Sequence, residues 1–211
     1  KDDYDHATLL GGLNFDDVLQ MELKPWPCVR PGQCAIQALA ELIQEHQIDP
    51  GAIQGVRLTV PRVATIPHQN ESSPTTFWKA VYSLQWAATM IIRQVPPGPQ
   101  WFTAHQIDHA GNQALAAKIE LVEDPDSTQA YAAQRRHEII GTAEVRTASA
   151  TVSRKCSLGD TTGGPDALMS AELVEAKFLE ATRLNLPRDK AGRLLDMLRH
   201  VEEFGDVNQL F

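Results

Sequence analysis

Long apolar runs, an excess of positive charge and a disulfide-forming set of cysteines are all missing from this 211-residue sequence. No apolar stretch approaches the roughly 20 residues that a bilayer-spanning helix needs, so no membrane association is expected. The net charge of −8 disfavours nucleic acid as a main partner, because phosphate binding requires basic surfaces. Three cysteines and no signal-peptide pattern at the start predict reduced thiols in a cytoplasmic protein.

Motifs that bind metals or phosphates are also missing. Cys28 and Cys34 lie too far apart for a zinc knuckle, and no other His or Cys pair lies nearby. His105 and His109 are one helical turn apart, but Asp108 is expected to start a helix between them, which leaves both imidazoles in solvent. The sequence contains neither a glycine-rich phosphate loop nor a nucleophile elbow. We therefore expect no metal and no cofactor.

The residues that are present have an ordinary globular composition, with 43% hydrophobic and 22% charged residues. Val56, Leu58 and Val60 alternate with polar residues and predict a strand with one buried face. Residues 119–122 and 142–153 predict further strands, and helical spacing follows Pro31, Ser170 and Pro187. The pattern predicts an α+β domain over residues 15–156, after a connector over 1–14 and before a helical tail over 157–211.

One predicted helix, over residues 75–93, has two apolar faces. Its core stripe consists of Phe77, Val81, Leu84, Ala88 and Ile91. Its second stripe consists of Trp78, Tyr82 and Trp86. Two apolar faces require two packing partners. The aromatic stripe therefore packs on a neighbouring domain or subunit, or it directs Trp86 into a ligand pocket.

The most constrained stretch is residues 24–38, in which Pro25, Pro27 and Pro31 keep the chain out of a helix until Pro31 has passed. A strand-like lead-in over residues 18–23 precedes it. Lys24 is thus placed on a rigid turn before a helix N-terminus, where unpaired N–H groups and the helix dipole favour an anion.

Five stretches in order resemble one protein family. Residues 24–38 carry the pattern Lys-x-aromatic-Pro-x-x-Arg followed by Ala-Ile-x-Ala, and four further stretches match family strands or helices: 53–60, 80–88, 169–178 and 201–207. Together they resemble the second part of the MmgE/PrpD family, which includes 2-methylcitrate dehydratase, cis-aconitate decarboxylase and iminodisuccinate epimerase. The resemblance implies a two-layer α/β lid-type domain with a helical C-terminal tail.

The resemblance also implies a function and a set of site residues. The members of the MmgE/PrpD family are cofactor-independent lyases or isomerases that dehydrate, decarboxylate or epimerise small polycarboxylates. Lys24 is the candidate catalytic residue, since a lysine can bind a carboxylate or donate a proton. Arg30, Gln33 and Trp86 are the candidate substrate-binding residues, although Arg30 could equally be a structural ion-pair partner.

Two of these positions depart from the family pattern. Gln33 stands where many members have a histidine, and glutamine cannot titrate near neutral pH. Trp86 stands in place of a tyrosine that lines the pocket. The departures leave three possibilities open: a lyase with another substrate, a non-catalytic subunit or binding module, and a biosynthetic dehydratase or cyclase that recruited the fold.

The family's helical first half has no counterpart in this sequence, which begins at Lys1 without an initiator methionine. The general base and several substrate ligands of the resembled enzymes lie in that half. We therefore expect a helical partner, in the same natural protein or as a second chain, together with an oligomeric assembly. Both a truncated protein and a split enzyme fit this expectation.

Overall fold

The computed structural model describes residues 21–164, 166–206 and 208, in which the chain forms four strands and eight α-helices. The strands are β1 (Ile53–Val60), β2 (Ile119–Glu123), β3 (Ile140–Thr147) and β4 (Thr151–Ser157). The helices are α1 (Gln33–His46), α2 (Phe77–Tyr82), α3 (Leu84–Ile92), α4 (Ala104–Ile107), α5 (Ala110–Ala116), α6 (Pro125–Ala132), α7 (Ala171–Thr182) and α8 (Arg188–Arg199). The predicted α+β fold is confirmed.

The strands form one mixed sheet in the order β2-β1-β3-β4. β1 runs parallel to β2, whereas the β1–β3 and β3–β4 pairs are antiparallel. Along β1, Val56, Leu58 and Val60 are buried, while Arg57 faces solvent and pairs with Glu120 at 3.1 Å. This alternation buries one face of the sheet under α1 and α3, which also pack on each other.

α1 lies very close to β3, and Gly141 makes that approach possible. A Cβ at Gly141 would lie 2.3 Å from the Ala35 nitrogen and 2.8 Å from the Cys34 carbonyl carbon. Both are backbone atoms, so a flexible side chain cannot yield to relieve the clash. Gly141 therefore fixes the spacing between the sheet and the first turn of α1.

The single helix predicted over residues 75–93 is wrong, because the chain breaks at Ser83 into α2 and α3. Ser83 is extended, with φ −71° and ψ 121°, and its hydroxyl caps α3 by accepting from the Trp86 N–H at 2.9 Å. The same hydroxyl donates to the Glu71 carbonyl at 2.6 Å. The break changes which side chains are buried: Phe77, predicted in the core, is 49% exposed, and Trp86 is 0% exposed.

Two smaller predictions also need correction. Residues 142–153 do not form one strand but belong to the β3–β4 hairpin, which turns through residues 148–150. Asp108 does not start a helix but ends α4, and His109 caps α5 by accepting from the Asn112 N–H at 3.3 Å. The strands at 53–60 and 119–122 and the helix starts after Pro31 and Ser170 are confirmed.

The lead-in predicted over residues 18–23 lies partly outside the described residues, and Met21–Leu23 are not in a strand. The predicted connector over residues 1–14 lies wholly outside them, and the predicted domain boundaries stay predictions. The tail forms α7 and α8, which pack on each other. None of the helices among the described residues is both long enough and apolar enough to cross a bilayer.

Gly141→Ala is expected to destabilise the fold, because the new methyl group must push α1 away from β3. We expect the free energy of unfolding to fall by about 2–3 kcal/mol, a typical cost of overpacking. Urea unfolding followed by circular dichroism measures this change.

Gly192→Ala is the matched control, since Gly192 lies in α8 and a methyl group added there would meet nothing within 4 Å. Alanine there should raise the free energy of unfolding by about 0.5–1 kcal/mol, because it is the better helix former. Equal stability of the two variants would contradict the tight packing at Gly141.

Candidate functional site

The turn from Lys24 to Gly32 connects the lead-in to α1 and is held from inside by one side chain. Gln33 is fully buried. Its Nε2 donates to the carbonyl oxygens of Trp26, at 3.0 Å, and Cys28, at 3.1 Å, and its Oε1 accepts from the Trp26 N–H at 3.3 Å. The Trp26 carbonyl also accepts from the Cys28 N–H at 2.8 Å, so the Gln33 amide adds to this backbone bond and supplies a partner for the Trp26 N–H. The first residue of α1 thus fixes the shape of the turn before it.

Lys24 lies at the exposed start of this turn. Its Nζ donates to the Cys28 carbonyl at 3.0 Å, so the ammonium group is folded back over the turn. No carboxylate among the described residues lies within ion-pair distance of it. Lys24 is therefore a fixed cation that the described part of its own chain leaves without a counter-ion.

A second lysine, which the sequence reasoning did not single out, lies beside the first. Lys177 of α7 donates from Nζ to the Lys24 carbonyl oxygen at 2.9 Å. Partial burial, and then the nearby charge of Lys24, lower the pKa of Lys177 from its ordinary value. The one feature of the sequence that pointed to Lys177 was its position within residues 169–178, a stretch that resembles the family.

A small apolar pocket of about 210 Å³ opens between the turn and α7. Its lining comprises Pro25, Trp26, Pro97, Thr162, Met169, Leu173, Ala176, Lys177 and Glu180. A larger pocket of about 710 Å³ lies beside α1 and β4, but Glu41, Asp124, Asp126, Glu138 and Asp160 line it. Lys155 also lines the larger pocket, but the carboxylates outnumber it and would repel an anionic ligand. The smaller pocket has one carboxylate, Glu180, and one lysine, Lys177, in its lining.

The profile of the MmgE/PrpD C-terminal domain matches residues 26–203 of this chain. The match covers the turn from Trp26 onward, the sheet and both tail helices, and it begins two residues after Lys24. The chain belongs to the MmgE/PrpD family. The comparison with curated proteins found no match.

Within this MmgE/PrpD domain, Arg30 does not share the unpaired state of Lys24. Its guanidinium pairs with Glu22, which also pairs with Arg136. Two cations therefore share one carboxylate, and this group keeps a net positive charge. The contacts of Arg30 are those of the structural ion-pair partner that the sequence left open.

Trp86 lies in the main core of the domain. It is fully buried, and its indole Nε1 donates to the Trp101 carbonyl at 2.8 Å. None of the four predicted site residues, Lys24, Arg30, Gln33 and Trp86, lines the small apolar pocket, although Pro25 and Trp26, which follow Lys24 in the chain, do. The structure thus brings Gln33 against the turn, and it places Trp86 behind it as a packing residue.

Cys28 and Cys34 are poor nucleophiles because both are buried. Burial raises the pKa of Cys28 from 9.0 to about 12, with a smaller lowering effect from Lys24. Burial likewise raises the pKa of Cys34 from 9.0 to about 12. A thiol that holds its proton neither attacks a substrate nor binds a metal at neutral pH.

Gln33→Met is expected to destabilise the turn at nearly constant side-chain volume, because the Trp26 N–H loses its partner and the Trp26 and Cys28 carbonyls each lose one of two donors. The free energy of unfolding should fall by about 2–3 kcal/mol. Gln44→Met, an exposed substitution on the same helix, should change it by less than about 0.5 kcal/mol. Chemical denaturation of both variants measures the difference, and similar values would exclude a structural role for the Gln33 amide.

Thiol labelling should separate the three cysteines. Half-buried Cys156 should react with iodoacetamide at pH 8, whereas Cys28 and Cys34 should react only as fast as the chain unfolds, because the thiolate is the nucleophile. Mass spectrometry of labelled peptides gives the three rates. Rapid labelling of Cys28 would contradict its burial.

The raised pKa values of Cys28 and Cys34 predict a loss of stability at high pH. The folded chain holds both buried protons up to about pH 12, whereas the unfolded chain releases them near pH 9.0. Since the unfolded state then binds fewer protons, the free energy of unfolding falls as the pH rises above 9.0. Urea unfolding between pH 8 and 11 measures this slope, and Cys28→Ala should reduce it.

Proposed function

We propose that this MmgE/PrpD domain is the lid-side part of a cofactor-independent lyase or isomerase that acts on a small polycarboxylate. In this proposal Lys24 binds a carboxylate of the substrate or delivers a proton to it. Family membership supports the reaction class, since dehydration, decarboxylation and epimerisation of polycarboxylates are the activities that the resemblance implied. The observation that carries the proposal is the Lys24 ammonium group itself.

Lys24 suits this role because it is fixed and unneutralised. Its Nζ is held by the Cys28 carbonyl at 3.0 Å, on a turn that the buried Gln33 amide supports. A fixed ammonium group loses little conformational freedom when an anion arrives, so more of the interaction energy remains for binding. In a chain of net charge −8, such a local cation is needed to attract a polycarboxylate.

The other candidate residues act from behind the site in this proposal. Arg30 adds to the positive potential at the turn while it stays paired with Glu22. Gln33 and Trp86 shape the site as supports, through the turn and through the core, without touching substrate.

The proposed partner is a helical half of the same family, present in the same natural protein or as a second chain. Exposed apolar side chains on the helices support this proposal, since they favour burial against another surface. They are Phe77, Trp78, Tyr82, Leu173, Val174 and Leu198. We propose that this partner supplies the base that the Lys24 turn lacks.

A non-catalytic binding module is the second candidate, and one observation favours it. Gln33 cannot titrate, and its amide is fully occupied by backbone groups of the turn. A module that had lost the chemistry would still bind the anion at Lys24. Binding without turnover in the assembled protein is the signature of this candidate.

Lys24→Ala should reduce kcat/KM for a small di- or tricarboxylate by on the order of a hundredfold or more in the chain assembled with its helical partner. The fold should be unaffected, because Lys24 is exposed and makes one hydrogen bond to the backbone. Steady-state kinetics and thermal unfolding measure the two effects. Lys190→Ala, on the exposed surface of α8, is the control.

Three results would separate the candidates. Unchanged turnover in Lys24→Ala would remove Lys24 from the mechanism. Turnover by the parent assembly, together with a lower turnover in Lys24→Ala, supports the lyase or isomerase. Saturable binding of the polycarboxylate without any turnover supports the binding module.

A further inference from the structure

Lys24 and Lys177 form a pair of cations that come from opposite ends of the chain. Lys24 precedes α1, and Lys177 lies in the middle of α7, 153 residues later. The Lys177 Nζ donates to the Lys24 carbonyl oxygen at 2.9 Å, and the Lys24 Nζ donates to the Cys28 carbonyl at 3.0 Å. Each ammonium group is thus oriented by one carbonyl and keeps further N–H donors for a ligand.

The carboxylates near the pair are occupied elsewhere. Glu180 lines the same pocket, but its Oε2 accepts from Gln100 Nε2 at 3.1 Å and lies 3.5 Å from Arg183 Nη1. Glu22, which precedes Lys24, pairs with Arg30 and Arg136. Among the described residues, no carboxylate forms an ion pair with Lys24 or Lys177.

Two like charges held close together oppose each other unless an anion joins them. The effect is visible at Lys177, where burial and the charge of Lys24 lower the pKa of the ammonium group. Turning Lys177 into solvent would relieve this repulsion, but it would break the bond from its Nζ to the Lys24 carbonyl. Here its ammonium group is instead bonded to the backbone beside Lys24.

We propose that Lys177 is a second anion-binding residue of the Lys24 site, so that one polycarboxylate bridges the turn and α7. This inference rests on the proposed function, since it assigns a further substrate-positioning residue to the same site. The apolar pocket of about 210 Å³ beside the pair receives the carbon skeleton of the ligand. The ligand class is a compact anion with at least two carboxylates.

The test is a titration of the full chain, labelled with ¹³C in its lysine side chains, with citrate and separately with acetate. Citrate should shift the Lys24 and Lys177 Cε signals together and raise the pKa of Lys177, because a bound carboxylate favours the charged ammonium group. Lys177→Met should weaken citrate binding about tenfold, the size of one charge-assisted hydrogen bond. Acetate cannot bridge the pair, so its weaker binding should depend little on Lys177.

Lys190→Met is the matched control, since it removes an exposed lysine from α8 and leaves the turn intact. Thermal unfolding of every variant shows that the fold is retained. Lys177→Arg should restore most of the citrate affinity, because it restores the charge.

The possible outcomes decide the inference independently of the proposed function. Equal citrate affinity in Lys177→Met and in the parent chain overturns the role of Lys177. If citrate affinity falls in Lys24→Met but not in Lys177→Met, the role of Lys24 is retained. No saturable citrate binding by the parent chain also overturns the bridging site. The proposed function is then decided separately, by turnover of Lys24→Ala in the assembled protein.

Discussion

The hydrogen bonds between the Gln33 side chain and the backbone of the preceding turn are the interaction on which the candidate site depends. Three prolines remove backbone donors from this stretch, and the remaining polar groups of Trp26 and Cys28 need partners inside the protein. A fully buried amide supplies both a donor and an acceptor. Because Gln33 is also the first residue of α1, the position of Lys24 is linked directly to the packing of α1 on the sheet.

The contacts of Gln33 and Trp86 bear on the departures from the family pattern that the sequence resemblance implies at these two positions. A histidine at position 33 presents two ring nitrogens in a different geometry and could not donate to two carbonyls while it accepts from the Trp26 N–H. Trp86 fills the core and donates to the Trp101 carbonyl, so a smaller tyrosine there would leave a void. The two positions support the fold in ways that the family pattern alone does not indicate.

The sequence predicted the parts of the fold that depend on local patterns. Pro31 determined where α1 could begin, and the alternation of Val56, Leu58 and Val60 identified β1. It did not predict the break at Ser83, because the periodicity of α2 and α3 is continuous, and the Ser83 hydroxyl also bonds to Glu71, twelve residues away. It also missed Lys177, since only the folded chain brings that lysine to Lys24.

In the proposed assembly, the bond from Lys177 to the Lys24 carbonyl couples the binding of the partner to the binding of the ligand. Val174 of α7 is exposed and available to a partner, while Lys177 of the same helix contacts the turn. A partner that holds α7 in this position would favour the arrangement of the two lysines that an anion requires. By thermodynamic linkage, the anion must then raise the affinity for the partner by the same factor by which the partner raises the affinity for the anion.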